Sequence, residues 1–194
     1  MRRIIASVNT TLDGYMEGPN GEGDLGWLMP FVPDGIPDNA RLLGEETDAI
    51  LLGRGTYHGF SAFWPTQEGE FADLMNLPPK YVFASEGALS ETPWGTYGNA
   101  HLVDHDVEAR VRAMKAEDGR DMVILASGGL VSSFLGLGLV DELRIAVCPV
   151  VLGSGKRYLR GIDRLVELEL ADSKPHPSGS VLLTYRVSLA AHRE

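Results

Sequence analysis

The sequence predicts an α/β layered domain whose mainly parallel sheet of about eight strands ends in an antiparallel C-terminal portion. Three observations lead there. Short runs rich in Val, Ile and Leu alternate with helix-like segments along most of the chain. Several of those runs are apolar on both faces, as strands covered by helices on each side must be. The last two runs instead alternate apolar with polar, the pattern of an antiparallel pair with one face nearer water.

In order, the expected strands are RIIASV (3–8), AILLG (49–53), YVFAS (81–85), HLV (101–103), MVILAS (122–127), LRIAVCPVVLG (143–153), LVELEL (165–170) and VLLTYRVSL (181–189). Between them, helices are expected over 37–47, 55–63, 68–76, 106–118 and 129–138. Strand and helix alternate until the C-terminus, where strands follow one another directly. No internal repeat, low-complexity tract or linker divides the chain, so one domain over residues 1–194 is expected.

The chain carries 17 basic and 27 acidic residues among 194, a formal charge of −10. No basic stripe stands out to neutralise a nucleic-acid backbone or an anionic membrane. No apolar run reaches the ~18 residues of a membrane span, and the N-terminus turns polar too soon for a signal peptide, so a cytoplasmic protein is expected. Cys148 is the lone cysteine and sits inside an apolar run, which reads as a buried small hydrophobe.

Several motifs fail on context. GEGDLG (21–26) has the letters of a dinucleotide fingerprint but neither a strand before it nor a helix opening within it. LGSGKRYL (152–159) would need its first phosphate-loop glycine where Val150 stands. His101 and His105, with Asp104 and Asp106, span a strand and a turn rather than one helix face, so no metal is expected. A G-x-S-x-G elbow is missing, and Cys148 has no partner set for nucleophilic catalysis.

What survives is a set of strand ends: LLGRGTY (51–57), VFASEG (82–87) and LASGGLVSS (125–133). Ligands of α/β sheets collect at the carboxyl ends of parallel strands, so three such ends can face one elongated ligand. Gly128 and Gly129 expose backbone N–H groups where a helix opens near Leu130, a seat for a pyrophosphate. The pair serves equally for tight strand–helix packing alone, and Ser127 either caps that helix or touches the ligand. Arg54 and Thr56 after Gly53 place a guanidinium and a hydroxyl near another helix start, for a phosphate or, in the case of Arg54, for a surface ion pair.

These residues resemble a known family. NTTLDGYMEG, DAILLGRGTYHGFSAFWP, KYVFAS and, most specifically, ILASGGLVSSFLGLGLVDELRIAVCPVVLGSGKRYL are similar to the dihydrofolate-reductase-like family typified by the reductase domain of bacterial riboflavin biosynthesis. The resemblance covers nearly the whole chain. It implies a three-layer αβα domain around a mixed sheet, NADPH as hydride donor and a homodimer. It implies cofactor phosphate contacts at Gly53, Arg54 and Thr56, a glycine pair at Gly128 and Gly129 under the pyrophosphate, and Leu130 and Val131 continuing beside the cofactor. Ser85 matches a serine near the adenosine ribose, but many relatives follow it with arginine, where this chain has Glu86. A carboxylate beside a phosphate dianion is repulsive, which leaves NADPH against NADH open.

Asp13, in LDGY, falls where relatives hold nicotinamide and substrate, as a proton relay or simply as the first half of an Asp-Gly turn. Asp34 and Asp38 are rival carboxylates, because pterin-reducing relatives carry their substrate acid in the helix after that loop. Trp27, Phe60 and Trp64 are available as flat walls for a heteroaromatic ring or as core. The zinc deaminase found fused to many riboflavin reductases has no counterpart here. The expected function is an NADPH-dependent oxidoreductase acting on a C=N or C=O bond of a small pterin-like or ribosylaminopyrimidine-like substrate, resembling 5-amino-6-(5-phosphoribosylamino)uracil reductase. Dihydrofolate reduction and a non-catalytic dinucleotide-binding dimer stand as the alternatives.

Overall fold

A computed structural model describes residues 1–21 and 23–188. Strand β1 (Ile4–Thr11) is followed by a short β2 (Tyr15–Glu17), helix α1 (Val32–Arg41), β3 (Thr47–Gly53), α2 (Arg54–Phe63), α3 (Glu70–Asn76), β4 (Lys80–Phe83) and β5 (Ala100–Val103). Then come α4 (Val107–Ala116), β6 (Asp121–Leu125), α5 (Gly128–Gly136), β7 (Glu142–Cys148), β8 (Lys156–Arg157), β9 (Leu168–Pro175) and β10 (Val181–Val187). Eight strands form one sheet in the order β5-β4-β3-β6-β1-β7-β10-β9. The first six run parallel, and β10 pairs antiparallel with both β7 and β9. The small β2–β8 ladder stands apart and was not expected.

Strand β1 shows why helices cover both faces. Its side chains alternate between faces: Ile4, Ala6 and Val8 join the core cluster that contains Val111 and Met114 of α4 and Val131 and Phe134 of α5. Ile5 points the other way, into a cluster with Tyr57 of α2, Met75 of α3 and the buried Trp94. Each fully buried aliphatic side chain contributes about 1.5–3 kcal/mol relative to exposure, so these two faces carry most of the stability.

Element boundaries moved where proline decides them. The run expected over 143–153 stops at Cys148 because Pro149 has no N–H to continue the ladder, and the following residues form a loop. Helix α1 starts at Val32, earlier than expected, because Pro33 sits in the first turn, where a missing N–H costs nothing. It ends in a wider π turn, Leu42–Glu46, that buries Leu42 and Leu43 while α1 itself buries no residue. The strand expected over 165–170 forms at Leu168–Pro175. Position 189, the end of the last expected strand, lies outside the described residues. No helix among the described residues is long and apolar enough to cross a membrane.

Candidate active site

Four neighbouring strands, β4, β3, β6 and β1, end along one edge of the sheet, and the expected cofactor residues lie on it. Gly53 closes β3 and donates its N–H to the Ser127 hydroxyl at 2.9 Å, while the Ser127 N–H donates to Thr56 Oγ1 at 3.3 Å. Ser127 therefore neither caps its own helix nor stands free for a ligand: its side chain ties the β6 end to the β3 end. Ala126 and Ser127 are both left-handed, with φ of 54° and 33°. Two successive non-glycine residues in that region store strain, and such strain persists where the surroundings enforce it and marks sites of function. Here it swings the chain so that α5 opens directly at the edge.

The two glycines have different reasons. A Cβ on Gly128 would lie 2.9 Å from Met16 Sδ and 3.2 Å from the Tyr158 ring, so packing alone demands glycine there. A Cβ on Gly129 would meet nothing within 4 Å, and the residue is exposed at the first turn of α5. The N–H groups of Gly129 and Leu130 have no backbone acceptor among the described residues, and the positive end of the helix dipole there favours an anion. Arg54, exposed at the start of α2, has no ion-pair partner among the described residues. Ser85 and Glu86 are exposed just past the end of β4. Leu130 is half-buried and packs against the core. Val131, expected beside the cofactor, is fully buried in the core under the sheet, because helical spacing turns it inward.

A second region lies beneath α1, on the face to which Ile5 points. A cavity of about 270 Å³ has as its floor two rows of side chains in register across β1, β7, β10 and β9. One row is Ser7, Arg144, Thr184 and Asp172; the other is Asn9, Ala146, Leu182 and Lys174. Its roof includes Asp38, and His176, just past β9, closes one side. Lys174 Nζ donates to Asp38 Oδ1 at 2.7 Å, and His176 Nε2 donates to Asp38 Oδ2 at 3.0 Å. Burial raises the Asp38 pKa, but the Lys174 and His176 hydrogen bonds outweigh it and hold the carboxyl below its ordinary value. Asp34, its rival, instead accepts the Ser178 N–H at 2.8 Å and is also lowered, chiefly by that serine.

Arg144 is 12% exposed and pairs with Glu46 at 2.6 Å and Glu142 at 2.7 Å. Desolvation opposes its charge, yet the two carboxylates win and raise its pKa. The cavity thus holds its cations in partnership with carboxylates. Arg144, Lys174 and His176 were not anticipated from the sequence. The available signal was an arginine interrupting an apolar run at the position facing the same side as Ser7, a polar residue on an otherwise apolar strand.

Four residues offered from the sequence for the chemistry or for the ring, Asp13, Phe60, Trp64 and Trp27, lie away from the cavity. Asp13 is not in the cavity: its carboxylate accepts from Thr11 Oγ1 at 2.6 Å, Gly153 N at 2.7 Å and Leu152 N at 3.2 Å. Those bonds, led by Thr11, lower its pKa and make it a clamp between the β1 turn and the loop after β7. Phe60 and Trp64 pack edge to face with centroids 6.2 Å apart and flank the core cluster under α2 and α3. Trp27 is half-buried in a single helical turn, Gly26–Leu28, and like the other two aromatics it does not line the cavity. Cys148 is buried, which pushes its thiol up to about 11 and makes it inert at neutral pH.

Among the described residues, no group of three or more His, Cys, Asp or Glu is placed to hold a metal ion. Residues 2–182 match the family described as the RibD C-terminal domain. The uncharacterized protein YyaP of Bacillus subtilis (strain 168) is 31% identical over 189 residues, 95% of this chain and 94% of that protein. A pyrimidine reductase-like protein from Corynebacterium diphtheriae superposes with a TM-score of 0.69 at 15% identity, covering 96% of this chain and 92% of that one. Dihydrofolate reductase from Enterococcus faecalis, complexed with NADP(H), superposes with a TM-score of 0.57 at 14% identity, covering 96% of each chain. With this eight-stranded sheet and a family match over nearly its whole length, the chain belongs to the RibD C-terminal domain family and has a dihydrofolate-reductase-like fold.

Proposed function

We propose that the chain is an NADPH-dependent reductase that delivers hydride to a C=N or C=O bond of a pterin-like or ribosylaminopyrimidine-like substrate seated under α1. The observation that carries this is the meeting of two complementary sites. One is an edge of unpartnered backbone N–H groups at Gly129 and Leu130 beside Arg54. The other is a polar cavity whose floor reaches Asn9, two residues from the end of β1. Two residues of strand span about 7 Å, so a ring in the cavity and a nicotinamide at the edge come within reach of each other.

The nicotinamide supplies the hydride, and the chain supplies the rest. Gly129, Leu130, Arg54 and Thr56 hold the cofactor phosphates, and Ser85 lies by the ribose. Gly53 and Ser127 fix the distance between two strand ends and so the cofactor's path. Asp38 anchors the substrate ring as a hydrogen-bond acceptor from the roof, while Ser7, Asn9 and Thr184 offer hydrogen bonds from the floor. Asp13 keeps the neighbouring loop closed. The resemblance and the family together point to 5-amino-6-(5-phosphoribosylamino)uracil as the first substrate to test.

The test is NADPH oxidation followed at 340 nm with that compound, with dihydrofolate and with a panel of simple carbonyls. Turnover of the pyrimidine that Asp38→Asn reduces at least tenfold supports the reading. Saturable NADPH binding without consumption across the whole panel contradicts it and favours a non-catalytic binding protein.

A further inference from the structure

Reducing a C=N or C=O bond consumes a proton as well as a hydride, and the cavity must obtain that proton from somewhere. The Asp38 carboxyl is held ionised, so it is not a standing reservoir. It is, however, the end of a chain of hydrogen bonds. The His176 Nε2 lies 3.0 Å from Asp38 Oδ2, and its Nδ1 lies 3.1 Å from Ser180 Oγ. Ser180 Oγ lies 3.2 Å from Ser178 Oγ. His176 and Ser180 are buried, at 9% and 2% exposure, whereas Ser178 is half-exposed on the turn between β9 and β10.

We infer that Ser178, Ser180 and His176 form a relay that carries a proton from solvent to Asp38 inside the cavity. This rests on the reductase reading above. The geometry of an imidazole suits the role, because a proton can enter at one nitrogen as another leaves from the second. Ser180 Oγ gives its proton to His176 Nδ1 and takes one from Ser178, which is replenished by water. His176 Nε2 passes its proton to Asp38 Oδ2, and Asp38 passes it to the nitrogen or oxygen of the bond being reduced. One hydride from the dihydronicotinamide and one proton from solvent then reduce one double bond, leaving oxidised nicotinamide and His176 with its hydrogen on Nδ1, from which tautomer exchange through solvent restores the hydrogen on Nε2 before the next turnover.

The backbone is built to keep the relay in register. The His176 N–H donates to Ser180 O at 2.8 Å, the Gly179 N–H donates to His176 O at 2.9 Å, and the Ser178 N–H donates to Asp34. The charged groups around the imidazole are Asp38, Asp34 and Arg41 from α1, Lys174 and Asp172 from β9, and Arg144 from β7, all but Asp34 lining the cavity with it. Lys174 shares Asp38 with His176 but its side chain is half-exposed, so it positions the carboxylate without belonging to the buried path.

Nitrogen-15 NMR of the histidine-labelled full chain reads the relay without turnover. The expected form of the neutral imidazole is the tautomer with hydrogen on Nε2 and a hydrogen-bonded, bare Nδ1, whose resonance moves in Ser180→Ala. A neutral ring with its hydrogen on Nδ1, or an Nδ1 resonance indifferent to Ser180→Ala, overturns the inference. With NADPH and 5-amino-6-(5-phosphoribosylamino)uracil, Ser180→Ala is expected to lower kcat about tenfold, leave KM unchanged and enlarge the solvent isotope effect. His176→Ala is expected to lower kcat by about a hundredfold, with partial rescue by added imidazole. A loss of thermal stability in Ser180→Ala with kcat and the isotope effect unchanged shows a purely structural turn. Absence of turnover in the unmodified chain counts against the reductase reading on that substrate, while the nitrogen spectra still decide the relay.

Discussion

The edge at β3 and β6 and the cavity under α1 are both candidate binding regions, and they are built from opposite materials. The edge is made of main chain: glycines, two left-handed residues and the free amides of α5, with Arg54 as its single cation. The cavity is made of side chains, and its buried charges are matched within the protein, Asp38 with Lys174 and His176, Arg144 with Glu46 and Glu142. Backbone donors carry no net charge to neutralise beforehand, so such a seat can wait for an anion at little cost. Buried side-chain charges cannot wait unpaired, so the cavity must carry its own counter-ions.

The sharpest way to break that contrast is to remove one partner from the cavity. Arg144→Met leaves Glu142 with only Arg3 and Glu46 with only Arg41, both half-exposed, so it should cost up to about 3 kcal/mol, the lower end of the usual penalty for breaking a buried pair. Urea unfolding measures it, and a loss below about 1 kcal/mol would show that the network is dispensable. At the edge, Gly129→Asp should weaken NADPH at least thirtyfold through charge repulsion at the phosphate seat. A residue with nothing within 4 Å of its Cβ should meanwhile change little in melting temperature.

A third comparison comes from Lys80, fully buried, donating to Asn76 O and resting 4.7 Å over the Trp94 ring, with no carboxylate partner. Burial pushes its ammonium down to about 7, despite the help it receives from the ring. The unfolded chain keeps that proton up to about 10.4. Between those values the unfolded state binds more protons than the folded state, so stability rises with pH, by up to about 1.4 kcal/mol per unit. Lys80→Met should flatten the rise in a series of unfolding curves from pH 7 to 10; an unaltered slope would place its origin elsewhere. The smallest effect is expected from Asp13→Asn. Its carboxyl is lowered by the Thr11 hydroxyl and loop amides, so the contribution is present above the ordinary carboxylate range and is lost as acid protonates it. A melting-temperature deficit at neutral pH that disappears towards pH 3, with kcat unchanged, is the expected pattern; a large fall in kcat would restore Asp13 to the chemistry.

Much of the architecture could be read from the sequence because strands and helices announce themselves through local period and composition. All eight expected strands occur in the main sheet, and all five expected helices form. The strand-end edge was legible for a similar reason, since Gly128 and Gly129 follow an apolar run directly and their consequence is local. The burial of Val131 was not legible, because its neighbourhood on a helix depends on which face turns inward. The cavity was illegible: Asp38 meets Lys174 and His176 across more than 130 positions, and no local pattern records that meeting. Asp38 itself was singled out only through resemblance, and of the aromatic residues offered as its companions Phe60 and Trp64 pack under α2 and α3, while Trp27 sits in the Gly26–Leu28 turn.

The most direct measurement is a fluorescence titration of the full chain with NADPH, repeated on Gly129→Asp. Saturable quenching of tryptophan emission by the unmodified chain, lost or shifted at least thirtyfold in the variant, is the result expected if main-chain amides at the start of α5 seat the cofactor. No saturable change in the unmodified chain, or equal affinity in both proteins, would contradict that account.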